Sequence, residues 1–164
     1  SLSDGYIRAV KGSRADFLFM LEHDWDFRGE YIEHTLNDIL RVFEADDELV
    51  HFRFNRRRNI VKGSDHWLVQ KEVNGLYYCQ TPSLSNNPHI IHRKRYIERC
   101  LPAVRVVQGS GGIENRVSKL ESVNGALYGP ENHPGTVKHT NGRGEERVRE
   151  REARRAKRRQ MEQK

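Results

Sequence analysis

Along the chain, apolar residues fall into short segments that switch between helical and strand spacing. Tyr6, Ile7 and Val10 have helical spacing, so a helix is expected over Gly5–Lys11, capped by Ser3-Asp4 and stopped at Gly12. Phe17–Leu21 is five apolar residues in a row between polar neighbours. A run of that length predicts a strand over Ala15–Leu21 buried on both faces, as in a parallel sheet. From Gly29 to about Glu44, Ile32, Leu36, Ile39, Leu40 and Phe43 recur at intervals of three and four, the stripe of an amphipathic helix. The acidic turn Ala45-Asp46-Asp47-Glu48 ends it. Leu49–Phe54 then alternates, which predicts a strand with Val50, Phe52 and Phe54 on one face.

Asn55-Arg56-Arg57-Arg58-Asn59 breaks the pattern as a basic loop, its arginines either solvated or meeting phosphates. His66–Val73 and Leu76–Gln80 are expected as strands joined through Asn74-Gly75, a type I′ hairpin signal. Thr81–His89 is a polar loop, and Arg93–Cys100 a third helix ending at Leu101-Pro102. Gln108–Gly112 is glycine-rich but lacks the strand-then-helix setting of a phosphate loop. A short helix over Ile113–Val123 and a long loop over Asn124–Gly144 complete the body. The order of elements is that of an α/β domain.

Composition divides the chain unevenly. Its 164 residues suit one domain with an appendage, and 35% are apolar against 32% charged. Residues 145–164 hold nine Lys or Arg and five Glu, a net +4 of the total +6, so residues 1–144 are nearly neutral. The segment 145–164 is helix-prone without an apolar stripe. It is a solvated helix, a disordered tail, or a basic arm for nucleic acid or an acidic partner. No aromatic residue is interleaved there for base stacking. Cys79 and Cys100 form no framework and suit a reduced, cytoplasmic protein in which both are small buried hydrophobes. No apolar run is long enough to span a bilayer, and no signal peptide pattern is present. The start at Ser1 suggests a fragment or a processed product.

The chemistry concentrates where the apolar run ends. Glu22, Asp24 and Asp26 follow Phe17–Leu21, with His23 between the first two. In open α/β sheets ligands bind outside the carboxyl ends of strands, and clustered carboxylates favour a hard divalent cation. The alternative is a solvated acidic turn.

Helix, apolar strand and Glu22-His23-Asp24 together resemble the centre of GT-A glycosyltransferases, with Glu22-x-Asp24 in the place of the DXD motif. Two later segments are similar to family features. Gly111-Gly112-Ile113-Glu114-Asn115 resembles the glycine-rich turn that leads to the catalytic acid of inverting members. Val137–Arg143 resembles the segment carrying the late histidine of the metal site. The resemblance implies a partial GT-A, Rossmann-like domain over 1–144 that lacks the opening nucleotide-binding unit. It implies a mixed sheet flanked by helices, and as activity sugar transfer from a nucleotide-sugar donor to a glycan or other hydroxyl acceptor. The alternative is a non-catalytic GT-like module of a larger assembly that binds nucleic acid or an acidic partner through residues 145–164. Glu22, Asp24 and His139 would hold Mn²⁺ or Mg²⁺, with Asp26 in reserve, and Glu114 would be the general base. Lys138 and Arg143 would meet the donor diphosphate. Asn86, Asn87 and His89 would face the acceptor, and Trp67 and Trp25 would either stack on sugars or pack in the core. His89 and His92 lie three apart, but no further Cys or His completes a zinc pattern.

Overall fold

A computed structural model describes residues 2–63, 65–82, 84–85, 87–103 and 124–140, with backbone only at 2–4 and 103. Eight strands and three helices are formed among them: α1 (Leu2–Gly12), β1 (Phe17–Met20), β2 (Trp25–Phe27), α2 (Leu36–Ala45), β3 (Leu49–Arg53), β4 (Val69–Val73), β5 (Leu76–Thr81), β6 (His89–His92), α3 (Arg93–Arg99), β7 (Asn124–Tyr128) and β8 (Val137–His139). Six strands make one mixed sheet in the order β1-β6-β3-β7-β5-β4, and β2 pairs with β8 in a separate ribbon. Within the large sheet β3 and β7 are parallel, and the other neighbours are antiparallel. Among the described residues no helix is long and apolar enough to cross a membrane.

The sheet separates two apolar cores. On one face, Ile39, Val42 and Phe43 of α2 pack against Leu49, Phe52, Tyr78, Ile90 and Tyr128. On the other, Val10 of α1 and Tyr96 and Cys100 of the α3 region pack against Val50 and Ile91. Neighbouring Ile90 and Ile91 therefore serve opposite cores, as strand alternation requires. Strand β3 does not alternate as expected. Its register shifts between Leu49 and His51, so Leu49 joins Phe52 and Phe54 while Val50 turns to the other core.

Several expectations are corrected. The run Phe17–Leu21 is not buried on both faces: β1 lies at the sheet edge, and Phe19 and Leu21 are 42% and 54% exposed. The helix expected from Gly29 is a 3-10 turn at Gly29–Tyr31 followed by α2. Thr35 sets the later start, because its hydroxyl accepts from the Asp38 N–H while the Asp38 carboxylate accepts from the Thr35 N–H. Leu36 stays exposed, and Val42 takes its place in the core. The first helix begins at Leu2, ahead of the expected Ser3-Asp4 cap. The loop expected over Asn124–Gly144 contains the central strand β7 and the ribbon strand β8.

Other expectations hold. Asn74 and Gly75 both have positive φ (51° and 83°), the backbone of a type I′ turn between β4 and β5. The third helix ends at Arg99 with Cys100 as its cap. Arg95 on that helix donates to the carbonyls of Phe43, Asp46 and Leu49, closing the carboxyl end of α2. Both cysteines are free and buried, and burial pushes the Cys79 thiol up to about 11. The glycine-rich 108–112, the helix expected over 113–123 and the tail 145–164 lie outside the described residues.

Candidate functional site

Strands β1, β3 and β7 run in one direction, because β1 and β3 are both antiparallel to β6 and β7 is parallel to β3. Their carboxyl ends therefore lie at one end of the sheet, and three segments gather there: 21–24 after β1, 54–59 after β3 and 129–136 after β7. The β2–β8 ribbon grows out of the first and third. Its register pairs Trp25 with His139, Asp26 with Lys138 and Phe27 with Val137.

This ribbon brings Asp24 and His139 together. His139 Nε2 lies 3.4 Å from Asp24 Oδ2, and the two side chains are 22% and 20% exposed. The Thr140 N–H donates to the Asp24 carbonyl at 2.8 Å, fixing the backbone beside the pair. The Trp25 indole meets the His139 imidazole edge-on, with ring centroids 4.6 Å apart. His139 Nδ1 and Trp25 Nε1 are buried and have no hydrogen-bond partner among the described residues.

The other expected site residues are placed differently. Adjacent strand positions face opposite sides, so Lys138 is on the far face of the ribbon from His139. There its ammonium lies 3.5 Å from the reserve acid Asp26, both being exposed. His89 is inside the protein: its ring stacks on His51 at 4.3 Å, contacts the Tyr6 hydroxyl at 3.2 Å and the Asn87 carbonyl at 2.7 Å. Burial pushes the His89 imidazole down to about 4 and holds His51 well below its ordinary range, with the neighbouring Arg53 charge acting the same way on both. Asn87 is half-buried, its N–H bonded to the Ser85 hydroxyl. Trp67 is half-buried two residues before β4, at the sheet edge opposite β1. Five strand spacings separate those edges, about 24 Å. Glu114, Asn86 and Arg143 lie outside the described residues.

The donor set can be tested against a divalent cation. Asp24 and His139 offer an oxygen and a nitrogen 3.4 Å apart. Neighbouring ligands around an octahedral ion with bonds of about 2.1 Å stand about 3 Å apart, so the spacing suits one. Among the described residues no three His, Cys, Asp or Glu side chains form a group able to hold a metal, so Glu22 does not complete the pair. Mg²⁺ in general is held through one or two carboxylates, with phosphates and water filling the sphere. Compared with known proteins, the chain matches no family model, no curated protein and no solved structure.

Behind this pair the other two segments are tied together by residues that sequence reading passed over. Buried Asn59 donates its side-chain amide to the carbonyls of Tyr128, Gly129 and Pro130. Its backbone N–H donates to His133 O, and its carbonyl accepts from Asn132 N–H. The Asn55 carbonyl accepts from Thr136 N–H at 2.7 Å, and the Thr136 carbonyl accepts from Arg28 N–H at 2.8 Å. Gly135 fits against the Arg56 carbonyl so closely that a Cβ there would sit 2.2 Å from its oxygen. The one local signal for this clamp is the density of Asn, Gly and Pro in 129–135.

Proposed function

We propose that this chain is a metal-dependent glycosyltransferase domain of the GT-A kind, moving a sugar from a nucleotide-sugar donor to an acceptor hydroxyl with inversion. The single observation that supports the reading most is the Asp24–His139 contact. The resemblance to GT-A enzymes implies an acid after the first apolar strand and a late histidine as metal ligands, and the contact between Asp24 and His139 supports that reading.

In this reading Asp24 and His139 hold the cation, with Glu22 on the same segment. A bound Mn²⁺ or Mg²⁺ offsets charge on a departing diphosphate. Trp25 restrains the imidazole through its edge contact, and the Thr140–Asp24 hydrogen bond holds the carboxylate's backbone. Glu114 takes the acceptor proton, and Arg143 meets the leaving group. Lys138 and His89, turned elsewhere by the fold, are not needed.

The test is Asp24→Ala assayed for sugar transfer and for Mn²⁺-dependent nucleotide binding. Both are expected to vanish while the thermal midpoint stays within a few degrees of wild type. Undiminished transfer by the folded variant would sink the assignment.

A further inference from the structure

The loop Asn55–Asn59 carries three consecutive exposed arginines, Arg56, Arg57 and Arg58. A solvated charge run needs no fixed backbone, yet this one is held at several points. The Asn59 side chain anchors one end to three carbonyls of the 128–130 turn. The Asn55 carbonyl accepts from both Thr136 and Val137 N–H at the other end. Gly135 closes on the middle, and Arg58 itself donates to the Asn132 carbonyl at 2.8 Å.

Thr136 also brings in a fourth cation. Its N–H goes to Asn55 and its carbonyl to the N–H of Arg28, so Arg28 and the arginine loop flank the same residue. Phe27 and Phe54, each immediately before one of these basic segments, are in ring contact at 5.1 Å. Among the described residues no carboxylate is paired with Arg28, Arg56, Arg57 or Arg58. Asp26 is engaged by Lys138, and exposed Glu30 and Glu131 pair with none of the four.

We propose that Arg28 and the clamped Arg56–Arg58 loop form a preorganised docking site for a ligand carrying two or more linked phosphates. Guanidinium groups suit this chemistry because their planar forks match phosphate oxygens. A loop already fixed in place loses little conformational freedom when the anion arrives. The proposal uses neither Asp24 nor His139 and needs no divalent metal, so it stands whether or not the transferase reading does.

The experiment titrates inorganic tripolyphosphate into the full chain by isothermal calorimetry, first without divalent metal and then with Mn²⁺. Arg56→Gln/Arg57→Gln is compared with wild type, with Asp24→Ala and with Arg154→Gln/Arg155→Gln, which removes the same charge from the basic segment 145–164. The loop variant is expected to bind about tenfold more weakly, the factor given by a loss of about 1.4 kcal/mol. Asp24→Ala and the 154/155 variant are expected to bind like wild type. Neither Arg56 nor Arg57 has a side-chain hydrogen bond among the described residues, so the melting temperature should not change. Arg56→Lys/Arg57→Lys, which keeps the charge without the fork, should fall between. Equal losses in the loop and 154/155 variants would overturn the proposal in favour of net charge. Binding that appears only with Mn²⁺ and vanishes in Asp24→Ala would overturn it in favour of the Asp24–His139 site, and no binding at all would overturn it outright.

Discussion

Acidification should destabilise the fold well above the range where carboxylates titrate, through the stacked pair His51 and His89. Both rings are buried, at 1% and 4% exposure, and both are held neutral by that burial. For His89 the value falls from 6.5 to about 4. The unfolded chain therefore binds a proton below pH 6.5 that the folded chain refuses until about pH 4, and stability falls as pH falls through that window. Integrating the linkage gives a loss from His89 of about 2 kcal/mol by pH 5 and about 3 kcal/mol by pH 4, relative to neutral pH. His51 shifts in the same direction and steepens the fall, and half-exposed His92 adds to it. Arg53, the charged neighbour of both rings, is ion-paired with Asp65, which in turn accepts from the Thr81 hydroxyl. The assay is urea unfolding at pH 7.5, 6, 5 and 4 for wild type and His89→Gln. Between pH 7.5 and 5 the variant should lose about 2 kcal/mol less stability than wild type, a shallower slope. Equal slopes, or a flat wild-type curve down to pH 5, would refute the reasoning.

Two further substitutions probe the scaffold. Asn59→Ala should cost about 2–3 kcal/mol by urea unfolding at pH 7, because its two amide hydrogens serve three backbone carbonyls, one bond being shared. Thr35→Ala should cost about 1 kcal/mol, seen as a lower denaturation midpoint with an unchanged slope, because it removes one arm of the α2 capping box.

The parts of the fold legible in the sequence are those set by local chemistry. Asn74-Gly75 specifies its own turn, and the hairpin β4–β5 follows from it. Strand β7 was hidden for the opposite reason. Asn124-Gly125-Ala126-Leu127-Tyr128 has no β-branched residue and sits among Gly, Pro and Asn. It is a strand because β3 and β5 pair with it on either side. Strand β6 hides two isoleucines between histidines, and only the fold shows that His89 is a core residue. The apolar run of β1 predicts double burial because periodicity cannot tell a central strand from an apolar edge. At the site, residue types pointed to the acids after β1, and His139 entered only through the resemblance. Neither could show that Lys138 turns away, since that depends on the β2–β8 register.

The central claim is that Asp24 and His139 form a cation site serving a nucleotide-sugar donor. Thermal unfolding with a panel of nucleotide sugars, with and without Mn²⁺, tests it most directly. The account predicts a rise in melting temperature that requires both the nucleotide sugar and Mn²⁺ and is lost in Asp24→Ala and His139→Ala. No rise with any member of the panel, or one that persists without Mn²⁺ or in both variants, would contradict it.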